Sequence, residues 1–412
     1  MKTNSALTLL LCILLMACSG PKQQPSAAII KIDVLKAFDN QKNVKLSEFI
    51  RDVEFIPLES TKDCWFRYSE NYIVGKKYVM VGDSERAHIV LFDRKGKFVR
   101  TIGTKVKGPG ELIEPRNAVM DPDEEFVMVY DSGKSKLSRF SITGKFMNEI
   151  DIKGLIPTMY ITNIQFINDK EFVLVNHRPY APMEEFASLP VFDRNLNHVR
   201  DILPRANDEN LRINVQPHAV FTINPERMTF WEPHLDTLYT ITPEGSAIPT
   251  HVIGFSKGGP DDEFVSTNVN PNLYSDNSIV SIMDAGQYFH IMGRKDNSWF
   301  TALYNKKTNE IFEVVQKPTC DTTKNASRIG FENDLFGSGR GWLRIYSKQI
   351  DRFITLIDLE TSPSEATLEC IRKKEVKFPE LRNRYLELLK DPEVRYQKLI
   401  VLMESSHLPN GQ

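Results

Sequence analysis

The chain has 412 residues, a formal net charge of −2, 41% hydrophobic and 26% charged residues. A near-neutral balance argues against nucleic acid or an anionic surface as a partner, since those call for clustered Lys and Arg. Length alone suggests two or three domains, a count that the repeats found below reduce to one.

The first element is an address. Lys2 is followed by an apolar run from Ala6 to Ala17, the charged-then-apolar order of a secretory signal. At about a dozen residues it is too short for a bilayer core, which needs roughly 20. Leu15-Met16-Ala17-Cys18 resembles the bacterial lipobox, so residues 1–17 are expected to be removed and Cys18 to carry lipid; an incidental cysteine after an ordinary signal is the alternative. Cleavage leaves 395 residues with a net charge of −3. Residues 18–28 then read as a flexible tether of Pro, Ser, Ala and Gln. Three cysteines remain in the body of the chain, Cys64, Cys320 and Cys370. One disulfide plus one free thiol fits an oxidising compartment, with Cys64–Cys370 tying the first part of the fold to the last; three buried thiols are the other reading.

From residue 78 onward one phrase recurs six times, a β-rich strand followed about ten residues later by a second strand and a polar turn. The first strands are Tyr78–Val81, Phe126–Val129, Phe172–Val175, Met228–Trp231, Tyr288–Ile291 and Trp342–Ile345, all rich in β-branched and aromatic residues. The second strands end at Phe92, Phe140, Phe192, Tyr239, Tyr304 and Ile357, at gaps of 48, 52, 47, 65 and 53. Gly or Asn in the turns suits the positive φ of a tight hairpin. A period near 50 with several strands per repeat is the arithmetic of a β-propeller; a pair of β-sandwiches would not space its strands so evenly. The expected fold is all-β: a six-bladed β-propeller with four-stranded blades over residues 29–376, in which Val53–Leu58 completes the last blade. Residues 377–412 read as a C-terminal helical tail packed on the propeller. Its apolar positions, Leu381, Tyr385, Leu388 and Leu389, then Val394, Leu399, Val401 and Leu402, suggest two short helices interrupted at Asp391-Pro392.

Four phrases in this order, Asp52–Glu59, Gly103–Glu111, Asp236-Thr237-Leu238-Tyr239 and Asn333-Asp334-Leu335, resemble the six-bladed β-propeller lipoproteins of gut-type Gram-negative bacteria, relatives of NHL-repeat propellers. The chain departs from them by an insertion around Gly258–Asn277. The resemblance implies a fold and an outer-membrane address but no reaction. Surface-exposed lipoproteins of such bacteria carry acidic residues just after the lipidated cysteine. None stands here, so the expectation is a periplasm-facing protein. Asp236-Thr237-Leu238 and Asp321-Thr322-Thr323 also resemble a short O-glycosylation sequon of these bacteria.

No nucleophile elbow, zinc helix or phosphate-binding loop signature is present. Propellers place ligands at one end of the central channel, where loops converge. The residues there that suit a sugar, peptide or protein partner are Glu111, Arg116, His177, Arg178, His218, Trp231 and Arg340; Arg clamps anions and Trp offers a flat apolar face. The competing reading is a calcium-dependent hydrolase or lyase acting on lactones or esters, with Glu111, Asn117, Asn163 and Asp284 as oxygen ligands.

Overall fold

The computed structural model describes residues 28–406, apart from 67–70, 84–87, 104–106, 154–159, 178–184, 207–219, 224–227, 232–236, 243, 257–263, 266–276, 297, 316–319, 321–329, 338–339, 342–344, 348, 360–362 and 391–397. The signal, and all of the tether but Ala28, therefore lie outside the described residues.

Six antiparallel sheets make six blades of a β-propeller. Blade 1 is Asn71–Val74, Tyr78–Asp83, His88–Asp93 and Phe98–Ile102; blade 2 is Pro115–Met120, Phe126–Asp131, Lys136–Ser141 and Phe146–Asp151. Blade 3 is Tyr160–Phe166, Glu171–His177, Glu185–Asp193 and His198–Ala206; blade 4 is Val220–Ile223, Met228–Trp231, Thr237–Ile241 and Ala247–Ser256. Blade 5 is Asn277–Ala285, Tyr288–Lys295, Ser298–Asn305 and Glu310–Val314; blade 6 is Ile345–Ser347, Arg352–Asp358, Lys398–Ser405 and Ile50–Pro57. First strands of neighbouring blades approach one another, so they line the channel. The expected insertion contributes Phe264–Val265, which pairs with Phe255 and Ser256 at the end of blade 4.

Both faces of a blade are covered by its neighbours, which is why the strands read as unbroken apolar runs rather than as alternation. Six core clusters sit at the six blade interfaces. Met80 and Leu91 of blade 1 meet Val127 and Val129 of blade 2, while Val79 and Val90 turn the other way to meet Ile56 and Ile400 of blade 6. Trp231 and Ile253 of blade 4 pack on Ile291 and Phe300 of blade 5. In blades 1, 2, 4 and 5 the turns between third and fourth strands use the expected chemistry, whereas in blade 3 the positive-φ position is Leu196, at 70°. Gly96, Gly144 and Gly245 have φ of 80, 86 and 91°, and Asn309 has 57°. A Cβ on Gly96 would lie 2.0 Å from the Pro57 carbonyl oxygen, so the neighbouring blade also demands glycine there.

The last blade takes strands from both chain ends. Its fourth strand is Ile50–Pro57, as expected, paired antiparallel with Lys398–Ser405. The tail expected to be helical across 377–412 differs from that reading. The helices are α1, Glu365–Lys373, and α2, Pro379–Lys390, whereas Lys398–Ser405 is the third strand of blade 6. Leu399 to Met403 are each at most 2% exposed, and a strand buried on both faces is one continuous apolar run that periodicity cannot tell from a helix. Ahead of it, the N-terminal segment straps the outside of the ring. Ile30–Asp33 adds a parallel strand to blade 4, and Gln41–Lys42 one to blade 5.

The disulfide is Cys320–Cys370, joining the segment between blades 5 and 6 to α1, and Cys64 is a buried free thiol. This corrects the Cys64–Cys370 pairing. Cys64 instead donates its Sγ proton to the Glu59 carbonyl at 3.2 Å. The bridge closes a loop of 50 residues, so Cys370→Ser is expected to cost about 4 kcal/mol on the chain-entropy account, read as a lower urea midpoint with a steeper slope as the denatured chain expands.

Candidate functional site

The first strand of every blade is an edge, and its unpaired N–H and C=O groups face the channel. In blades 1, 2 and 3 the same register position carries an asparagine: Asn71, Asn117 and Asn163, three residues before Val74, Met120 and Phe166. Asn117 Nδ2 donates to the Ile161 carbonyl of blade 3 at 2.7 Å. Asn71, in the amide orientation that satisfies both its atoms, donates to Ala118 O at 3.3 Å and accepts from Ala118 N at 2.5 Å. The amides thus bridge one inner strand to the next and satisfy exposed backbone groups.

Just before this level the inner strands of blades 2, 3 and 5 are bulged, at Arg116, Thr162 and Val280. A bulge bends the strand and re-aims the extra residue's side chain. Arg116 comes out half-exposed, paired with Glu114. The bulges lie at the end where the inner strands begin, called the entry end below.

The opposite, turn end is stitched. Glu124, at φ 59° and 4% exposed, accepts from the backbone N–H of Lys76, from Lys77 at 2.9 Å and from Tyr78 at 3.0 Å, so blade 2 caps the first turn of blade 1. Asp121, fully buried, accepts from Glu125 N and Phe126 N at 2.6 and 2.8 Å and pairs with Arg194 of blade 3. From blade 6, Gln349 Nε2 donates to Asp121 O at 3.3 Å and Ser347 Oγ to Val74 O at 3.1 Å. A Cβ on Gly75 would fall 2.6 Å from Met120 Cε, which leaves no free space in that corner. Glu124→Ala removes the acceptor of three part-buried backbone N–H groups and should cost about 1–2 kcal/mol in denaturant titrations, whereas half-exposed Glu114→Ala should change stability by less than about 0.5 kcal/mol.

The residues singled out in the sequence fall in several places. Arg116, Asn117 and Asn163 share the entry end. Glu111 lies in the loop leading to blade 2, where its carbonyl accepts from Lys134 Nζ at 2.7 Å. Asp284 is at the other end of its strand, 2% exposed and bonded to Lys306 Nζ at 2.7 Å. It stands three residues beyond the asparagine level, about 10 Å along the channel at the usual strand rise. Glu111, Asn117, Asn163 and Asp284 are therefore not brought to one point, because residue type matched a calcium shell while register did not. Among the described residues no group of three or more His, Cys, Asp or Glu is placed to hold a metal ion. Trp231 is fully buried between blades 4 and 5, so its ring is packing and not a platform for a ligand. His177 and Arg340 fall in strands Glu171–His177 and Arg340–Gly341, their side chains outside what is described. Arg178, His218, Asp236 and the Asp321–Thr323 triplet lie outside the described residues.

Two exposed apolar residues near the entry end were not anticipated, Ile113 at 54% and Trp299 at 44%. Alternation in Ser298–Asn305 gives the signal for Trp299: Phe300, Ala302 and Tyr304 share one face, which leaves Trp299 on the other.

One histidine is electrostatically unusual. His290, 3% exposed beside Phe331, is held neutral by burial, its pKa lowered to about 4. The unfolded chain takes up that proton near pH 6.5. This contribution is thus complete above pH 6.5, falls as the pH drops towards 4, and levels off below it, a change on the order of 3 kcal/mol. His290→Leu should flatten the pH dependence of the unfolding free energy across that window. Glu171 shifts downward by ordinary surface chemistry, the hydrogen-bonded Arg200 guanidinium favouring its charged form.

Comparison with known proteins supports the fold. Residues 29–384 match the family model described as Domain of unknown function (DUF4934). A Bacteroides fragilis protein described as exported superimposes with a TM-score of 0.60 at 15% identity, over 92% of this chain and 100% of its own. A member of the DUF4221 family from Bacteroides vulgatus gives 0.47 at 14% identity, over 64% of this chain and 84% of its own. The virginiamycin B lyase of Staphylococcus aureus gives 0.37 at 12% identity, over 67% and 76%. No curated protein matches the chain in sequence.

Proposed function

The chain belongs to the DUF4934 family, and on that footing we propose that it is a lipid-anchored binding or scaffolding module whose ligand, a sugar, peptide or protein partner, sits at the entry end of the channel. The observation that carries this reading is the contrast between the two ends. Blades 6, 1, 2 and 3 spend buried hydrogen bonds and an ion pair on joining the turn end. At the entry end a bulge turns Arg116 outward, and Ile113 and Trp299 are exposed. Proteins rarely leave such residues around a concave mouth without a use for them.

The anchor is part of the same proposal. Lipid on Cys18, a tether over 18–28 and a first strand on the outer edge of blade 4 would hang the ring by its side, facing the periplasm from the outer membrane. The NHL-type kinship belongs with it. Among the described residues no helix is long and apolar enough to cross a membrane. The calcium-dependent hydrolase draws no support from the geometry, since Asp284 stands at the other end of its strand from the level of Asn117 and Asn163.

The test is a screen of glycan and peptide arrays with the mature domain. A ligand of the entry end should lose tenfold to a hundredfold in affinity with Arg116→Ala, the worth of one charge-assisted hydrogen-bonding group. It should be unaffected by Arg352→Ala, at the turn end of the second strand of blade 6. Equal binding by the Arg116 variant would place the ligand elsewhere.

A further inference from the structure

The outer rim of the ring carries an apolar row at the turn end. Among the described residues seven large apolar side chains are exposed, and five of them, Ile29, Ile30, Met147, Val199 and Ile248, belong to this rim at 41–48% exposure. The other two are Ile113 and Trp299, near the entry end. Met147, Val199 and Ile248 each stand three residues after the positive-φ residue of a turn between third and fourth strands, Gly144, Leu196 and Gly245, so they repeat at one place on blades 2, 3 and 4. Met147 and Val199 are the extra residues of bulges, and a bulge re-aims its side chain. Arg200 of blade 3 lies against Gly245 of blade 4, which brings the rims of these two blades together. Ile29 and Ile30 stand on the strap along the outer edge of blade 4, where Ile30 is opposite His251, three residues on from Ile248. Blade 5 differs because the chain covers its rim itself: Ile311 is buried with Val34 and Ala37 of the strap, and Lys42 lies over the ring of buried Phe312.

Exposed apolar residues grouped in this way mark an interaction surface, and the covalent chain determines which partner reaches it. Nine residues, 19–27, separate Cys18 from Ala28. A lipid on Cys18 therefore holds the outer edge of blade 4 within about 35 Å of the bilayer with the tether fully extended, and within about 17 Å as a coil. We propose that this rim is a membrane-contact surface: Ile29, Ile30, Val199 and Ile248 enter the boundary between headgroups and acyl chains, with Met147 at its far end. The exposed charges beside them are mixed, Lys31 and Lys145 against Asp201 and Glu244, so apolar burial and not attraction to anionic lipid carries the contact. The ring then stands turn end down, and the entry end faces away from the bilayer. The assignment rests on the lipid at Cys18 and adds to it a fixed orientation.

The experiment places a nitroxide at Ile30→Cys, Val199→Cys and Ile248→Cys in turn, and at Ile113→Cys near the entry end, in the mature lipidated chain on vesicles of phosphatidylethanolamine with phosphatidylglycerol. Cys64 is buried, and Cys320 and Cys370 are bonded to each other, so the label goes to the new thiol. All four positions are exposed, so the variants should keep the wild-type melting temperature. The three rim labels should meet dissolved oxygen more often, and a water-soluble nickel chelate less often, than the label at position 113. That difference should vanish in the domain made without residues 1–18, free in solution. A chain that floats with the vesicles while its rim labels stay as open to nickel as position 113 overturns the rim contact and leaves the anchor standing. Labels shielded from nickel and oxygen alike, with spin–spin broadening, put a second copy of the chain on the rim and overturn the lipid contact. A chain that carries no lipid and does not float overturns the anchor and the rim contact together.

Discussion

The antiparallel ladder between Ile50–Pro57 and Lys398–Ser405 is the contact on which the rest of the molecule depends. A propeller has no sheet that runs around the ring, so its blades are held by side-chain packing and a few polar bridges from neighbour to neighbour. Where the first blade meets the last, packing alone would leave two faces free to open. Putting both chain ends into one sheet replaces that seam with backbone hydrogen bonds, and Ile56 and Ile400 then carry the last core cluster across to Val79 and Val90. Loop closure over nearly the whole chain has an entropic cost that grows only slowly with length, and a buried two-sided sheet offsets it. The other additions reinforce the same region. The N-terminal strap crosses blades 4 and 5 before it enters blade 6, and the Cys320–Cys370 bridge ties down the helical excursion that precedes the closing strand.

Closure also separates the two ends of the channel. At the turn end, Glu124, Asp121, Arg194 and Gln349 form bonds between blades that fix the angle at which each meets the next. At the entry end the blades are bridged more lightly, by the amides of Asn71 and Asn117, and the strands bulge. One end is thereby made rigid and the other is left to display side chains. Loops carried on a rigid scaffold are where binding residues concentrate, and Arg116 and Trp299 stand on that side of the ring.

The ring was legible because its blades repeat. The phrase that recurs at about 50 residues marks the second and third strands of blades 1 to 5. In blade 6 the later half of the phrase marks the second strand, Arg352–Asp358, and not the third, since the third comes from beyond two helices. That displacement hid Lys398–Ser405: a run such as Leu399-Ile400-Val401-Leu402-Met403 is apolar on every face, so it fits helix and strand alike. Short parallel strap strands such as Gln41–Lys42 have no periodicity to read. The site was legible only by residue type. Asn71, Asn117 and Asn163 stand 46 residues apart, yet the register that makes two of them blade-to-blade bridges depends on bulges that leave no mark in composition. Asp284 had the right chemistry for a cation and the wrong height on its strand. Trp231 and Trp299 differ only in which face of a strand they occupy, and that decided which one is packing and which one is exposed.

Native-state hydrogen exchange of the mature domain tests the closure account most directly. If the shared sheet holds the ring, the amides of Ile50–Pro57 and Lys398–Ser405 exchange only through global unfolding, with the same free energy as the central strands of blades 1 and 2. Exchange of these two strands at a free energy several kcal/mol below that of the other blades would show that blade 6 opens by itself, and that neighbour-to-neighbour packing is enough to keep the ring together.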